Sequence, residues 1–156
     1  MKSAGILVYR RGDAGLEVFL VHPGGPFWAK KDLAAWSIPK GEFGDDENPL
    51  AAALREFAEE TGQTIEGDFR ALTPVKQPSR KIVHAFAVAG EVDADRIASN
   101  EFELEWPPRS GTTQRFPEVD RAAWFPLAEA RKRVHAGLVP VLDELARTLG
   151  VPIANE

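Results

Sequence analysis

With 156 residues, 44% hydrophobic and 28% charged, the chain has the size and composition of a single folded domain, able to take roughly two-thirds of its unfolded surface out of water. The absence of cysteine excludes disulfides, thiol nucleophiles, iron–sulfur clusters and cysteine zinc sites, and agrees with a reducing compartment. A net charge of −5 argues against a protein that coats nucleic acid through a basic surface.

The opening MKSAGILVYRRGD meets Arg10 and Arg11 too soon for a secretory signal. No stretch approaches the ~20 apolar residues of a membrane span, so a cytoplasmic location away from membranes is expected. Residues 5–10 and 16–22 are β-branched and apolar and predict a hairpin across the turn at 11–15. Residues 23–35, rich in Gly, Pro, Lys and Trp, read as a surface loop, and 36–39 as a short extended piece ended by Pro39. Residues 40–48 read as a Gly- and Asp-rich loop.

A helix is predicted over 49–61, with Asn48 as N-cap, Pro49 at its first position and Gly62 just past its end. Strands are expected at 69–75, 81–90, 98–106 and 122–125, and helices at 127–135 and 140–149 around the breaker Ala136–Gly137. Strands and helices in mixed order predict one α/β domain over residues 1–150, with a loosely held tail at 151–156.

The charge is unevenly spread. Residues 41–60 hold seven acids (Glu42, Asp45, Asp46, Glu47, Glu56, Glu59, Glu60) and one base, Arg55, a net −6 that leaves the other 136 residues at +1. On a helical wheel Leu50, Ala51, Leu54, Phe57 and Ala58 form the expected buried stripe, and Glu56, Glu59 and Glu60 share an arc of about 100° on the other side. Like charges three and four residues apart destabilise a helix by roughly 0.2–0.5 kcal/mol per pair. Arg55, four residues before Glu59, is placed to relieve that carboxylate alone. Such a cluster is either a solvated acidic face or a site for Mg²⁺ or Mn²⁺, hard ions that prefer carboxylate oxygen.

The surroundings decide between the two. Gly41, Glu47, Arg55–Glu56, Glu59–Glu60 and Gly62 stand at spacings that resemble the Nudix box, the signature of hydrolases that cleave nucleoside diphosphates linked to another moiety. One position departs: the residue after the last Gly is usually apolar in that family, and here it is Gln63. The resemblance implies an α/β/α sandwich with a mixed sheet between helices. It also implies Mg²⁺, with Mn²⁺ as a substitute, held by Glu59 and Glu60, with Glu56 a third ligand or the general base and the Gly41 carbonyl a further ligand. A Glu47–Arg55 pair would then hold the box and orient Glu59, and Gly62 would close the helix.

In the family a further carboxylate often comes from outside the box. Glu101, Glu103, Glu105, Glu118 and Asp120 are available, and Glu118 is favoured because it precedes the Trp124–Phe125–Pro126 strand. The stretch Trp36–Ser37–Ile38–Pro39–Lys40–Gly41 resembles that preceding the box in diadenosine and diphosphoinositol polyphosphate hydrolases. Residues 80–83, Arg-Lys-Ile-Val, resemble a lysine-bearing strand of the diadenosine tetraphosphate branch. Lys40 and Lys81 are therefore the expected phosphate contacts. Phe86, with His84 and Trp28, is the expected nucleobase platform, and Trp36, Trp106 and Trp124 are expected to pack. His22 and His135 belong to no recognisable constellation.

The function implied is metal-dependent hydrolysis of a phosphoanhydride in a nucleoside polyphosphate, first of all a diadenosine polyphosphate. A 5′-end RNA pyrophosphohydrolase, a nucleotide-sanitising pyrophosphatase and a non-catalytic ligand-binding module built on the same box are the alternatives.

Overall fold

The computed structural model describes residues 1–13 and 15–152. Among them β1 (Lys2–Gly12) and β2 (Gly15–Pro23) form the predicted hairpin, longer at both ends than hydrophobicity alone marks, with Tyr9 opposite Val18 and Gly12 opposite Gly15. β1 is the centre of the main sheet. Its first half pairs antiparallel with β3 (Lys40–Phe43), and its other edge runs parallel to β6 (Ile82–Ala89). β2 continues antiparallel to β9 (Val119–Pro126), while the two-residue strands β4 (Arg70–Ala71) and β5 (Val75–Lys76) line the far side of β6. One parallel pairing among antiparallel ones makes the sheet mixed, as expected.

Alternation along the strands sends side chains to opposite faces. Ala4, Ile6, Val8, Phe19, Val21 and Val88 face the helix α1 (Pro49–Thr61) and bury its Ala52, Ala53 and Phe57. Leu7, Val18, Leu20, Val83 and Ala85 face α2 (Leu127–Arg133) and α3 (Val139–Leu149), where Ala130, Leu142 and Leu145 close the second core. The sheet is thus held between helices, the sandwich inferred from the sequence. No helix among the described residues is long and apolar enough to cross a membrane.

Helix α1 has the predicted bounds. The Asn48 side chain accepts from the Ala51 N–H at 3.0 Å, and Gly62, left-handed at φ +72°, donates to the Ala58 carbonyl at 2.8 Å.

Other expectations need correction. The strand predicted at 69–75 is split into β4 and β5 around Pro74, which has no N–H to give a ladder. Residues 40–43, expected as loop, form β3. Residues 98–106 shorten to β7 (Glu101–Glu105), which pairs with the unpredicted β8 (Thr113–Pro117) in a separate two-stranded ribbon. The loose tail expected at 151–156 is tied at its start, where Val151 packs on the second core and donates to the Ala146 carbonyl at 2.9 Å. Residues 153–156 lie outside the described residues.

Candidate active site

The last turns of α1, the start of β3 and the β8–β9 junction meet at one groove. Lys40, Glu60, Glu118 and His135 line its central cavity, of about 160 Å³, with Val21, Pro23 and Ile38 among its walls. Chain segments far apart in sequence therefore deliver two carboxylates, an ammonium and an imidazole to one place.

Gly41 shows why the box begins with glycine. A Cβ there would overlap the Glu56 carboxylate, which lies against the Gly41 backbone. Arg55 pairs with Glu47 through one guanidinium nitrogen and with Glu56 at 3.3 Å through the other, while Glu47 also accepts from the Gly44 N–H at 3.1 Å. The Glu47–Arg55 pair thus stands as expected, with one correction: Arg55 orients Glu56 rather than Glu59, because the guanidinium is drawn back toward the Glu47 loop. Among the described residues no hydrogen bond or ion pair ends on the Glu59 carboxylate.

The electrostatics couple the box to Glu118. Burial raises the Glu60 carboxyl to about 8, and the Glu118 charge adds to the rise against the opposing Lys40 N–H at 3.3 Å. Glu118 is raised by burial and then by Glu56 and Glu59; Glu56 is raised by burial and then by Glu59, against the opposing Arg55. Four carboxylates thus share a field with little compensating charge. The outside acids sort themselves by their partners: Glu101 and Glu103 pair with Arg115 at 3.0 Å, Glu105 accepts from the Arg109 and Gly111 N–H groups, and Asp120 meets His22. Glu118 alone of the five lines the groove's central cavity.

This donor set fits Mg²⁺ or Mn²⁺ in chemistry, being all oxygen, acidic and mutually repelling. In their present rotamers the side chains are not gathered into a shell: among the described residues no three His, Asp or Glu groups stand ready to hold an ion. Glu56 is turned to Arg55, and Glu60 to the Lys40 N–H.

The raised Glu60 carboxyl has a consequence for the metal-free protein. Folded, it titrates near 8; unfolded, near 4.5. The unfolded state loses this proton first, so stability that is fully present below pH 4.5 is lost as pH climbs through 8. Glu60→Gln will therefore flatten the fall of melting temperature with pH in EDTA. An unchanged slope would remove Glu60 as its source.

On the phosphate side, the half-buried Lys40 ammonium is depressed by burial and then by the Lys81 charge, with Glu60 and Glu42 opposing. Lys81 pairs with Glu42 at 3.0 Å. The two lysines predicted from sequence thus share one field.

Phe86 is not brought to the groove. Pairing of Ile6 with Phe86 sets it on the α1 face of β6, packed against the first core, while His84 stands edge-on to Phe43 at 5.6 Å. Trp36 is buried and Trp124 packs on Phe19 at 5.6 Å, as expected, whereas Trp106 meets the exposed Phe27 outside both cores.

Two histidines without a visible constellation acquire one. His22 is fully buried; its Nε2 donates to the Lys31 carbonyl at 2.6 Å and its Nδ1 meets the Asp120 carboxylate at 2.8 Å, pinning the 23–35 loop. His135 reaches the groove from the α2–α3 junction, edge-on to Trp28 at 5.4 Å, and is depressed by burial and by Lys40. Asp120 lies 98 residues from His22, and Trp28 is farther still from His135, so no local pattern could announce them.

A family model of the NUDIX domain matches residues 1–145. Among solved structures, the chain is similar to the C. elegans Ap4A hydrolase in a binary complex, at 19% identity and TM-score 0.64, over 95% of this chain and 98% of that one. It is also similar to the NUDIX domain of Shewanella oneidensis NrtR complexed with ADP ribose (17%, TM-score 0.65, 96% and 88%). The C-terminal domain of mouse MUTYH, in complex with human PCNA, is comparable (17%, TM-score 0.61, 99% and 93%). At these identities the likeness is one of fold, and fold does not fix function.

Proposed function

The chain belongs to the Nudix family, and on that premise we propose that it hydrolyses a phosphoanhydride bond of a nucleoside polyphosphate, with a diadenosine polyphosphate as first choice. The observation that carries this reading is the complete carboxylate set, Glu56, Glu59, Glu60 and Glu118, coupled by mutual repulsion around a groove that also holds Lys40. The Ap4A hydrolase likeness is consistent with the substrate.

A phosphoanhydride resists attack because its oxygens are negative. Glu59, Glu60, Glu118 and the Gly41 carbonyl would hold a divalent cation, which would supply compensating charge and acidify the attacking water. Glu56, seated over Gly41 and held by Arg55, would complete the set and serve as the base for that water's proton. Lys40 and Lys81 hold the departing phosphates by charge. Glu47, through Arg55, keeps Glu56 in place.

Release of nucleotide products is to be followed for a dinucleoside polyphosphate, an NDP-sugar, ADP-ribose and 5′-triphosphorylated RNA in Mg²⁺. The highest kcat/KM is expected on the dinucleoside polyphosphate. A preference for the RNA end reassigns the substrate, and no turnover of any of them with Mg²⁺ or Mn²⁺ overturns the enzyme.

A further inference from the structure

At the outer end of the groove stand aromatic side chains that the hydrolytic reading does not use. Phe27 is 59% exposed and Trp28 half-buried, both on the loop between β2 and β3. That loop has no regular structure, yet it is anchored along its length. The Gly24 N–H donates to the Glu118 carbonyl at 2.9 Å, His22 holds Lys31, and Asp32 accepts from the Trp36 indole at 3.0 Å and pairs with Arg133 at 2.5 Å. Ala34 and Ala35 donate to the Lys132 and Arg133 carbonyls at 3.0 and 2.9 Å. Trp28 packs on the second core, whereas the fixed loop holds the Phe27 ring toward water with no gain for folding, and such exposed apolar groups mark sites of recognition.

The β7–β8 ribbon faces this loop. Phe102 and Leu104, two residues apart, point to the same side, and Phe102 lies over Gly25, whose φ of +96° and missing Cβ let the loop pass close beneath the ring. Phe27, Trp28, Phe102 and Leu104 line a cavity of about 340 Å³, and its inner wall, Pro23 and Glu118, also lines the carboxylate groove. The two compartments therefore adjoin at Pro23 and Glu118.

We propose that this outer compartment receives the nucleobase of the substrate, stacked on Phe27, Trp28 and Phe102 while the phosphates lie over the carboxylates. The proposal rests on the hydrolytic reading of the groove and locates the base on the side away from Phe86. Charge and shape select the occupant. Among the described residues Glu118 is the only charged side chain lining the compartment, so phosphate is disfavoured there and a neutral group fits. Phe27 meets Trp106 edge-to-face at 5.3 Å and 81°, and Trp28 meets His135 at 5.4 Å and 88°. An edge contact of this kind leaves a face of the exposed Phe27 ring for a flat partner, while Trp28 carries the Lys31 ammonium over one face at 5.1 Å.

Calorimetric titration of ADP and of methylenediphosphonate, a base-free diphosphate, in Mg²⁺ tests this on the wild type, Phe102→Ala and Phe27→Ala. The wild type is expected to bind ADP more tightly. Each variant is expected to weaken ADP about tenfold and leave methylenediphosphonate within twofold. Should Phe102→Ala melt early, Phe27→Ala, altered at an exposed side chain, carries the test. Equal losses for both ligands, or unchanged ADP binding in a folded variant, overturn the proposal. Geranyl diphosphate binding more tightly than ADP reassigns the compartment to an aliphatic chain and overturns it too. Equal wild-type affinities with hydrolysis intact remove the base site alone, whereas no binding of either diphosphate and no turnover removes the hydrolytic reading beneath it.

Discussion

Glu59→Gln is expected to lower turnover by about a thousandfold while leaving the melting temperature of the metal-free protein equal or higher. The two halves of this expectation have separate causes. The Glu59 carboxylate carries no hydrogen bond or ion pair among the described residues, so the amide breaks nothing that holds the fold. Its charge raises the proton affinity of both Glu56 and Glu118, so removing it relieves repulsion. A residue that only solvates a surface helix would show neither the lost activity nor the relief. Turnover by steady-state kinetics and unfolding in EDTA are the measurements, and near-normal turnover contradicts the role given to Glu59.

Gly41→Ala is expected to lower turnover by about a hundredfold, the scale of a catalytic group displaced by about an ångström. The added Cβ would occupy the space of the Glu56 carboxylate, so Glu56 must swing away and its contact with Arg55 must change. Because the damage passes through one side chain, it should not add to the damage of removing that side chain. The double variant Gly41→Ala with Glu56→Gln should turn over no more slowly than Glu56→Gln alone, a non-additive cycle. Additive losses would show that Gly41 acts by another route.

How much of this could be read from the chain depends on how local the cause is. Helix α1 was legible to the residue because its cap, its first-turn proline and its terminal glycine are adjacent to it in sequence. Its three carboxylates were legible because a helix fixes which side chains stack. The choice of Glu118 among five outside acids rested on position alone; the structure sets Glu118 in the groove, while the other four find a base, backbone N–H groups or His22.

The failures are non-local. β8 is polar and exposed, held opposite β7 partly by Arg115 between Glu101 and Glu103, and so has no hydrophobic alternation to reveal it. Phe86 reads as a stacking platform until the register with β1 sets its face. The same holds for Arg55, whose choice of Glu56 over Glu59 follows from a loop residue, Glu47, eight positions away.

Mg²⁺ dependence of hydrolysis by the wild-type chain tests the metal-centred site most directly. With diadenosine tetraphosphate as substrate, nucleotide release should be undetectable in EDTA and restored on adding Mg²⁺, since a bare acidic groove repels a polyphosphate and a cation-filled one attracts it. Equal rates of release with EDTA and with Mg²⁺ would contradict it.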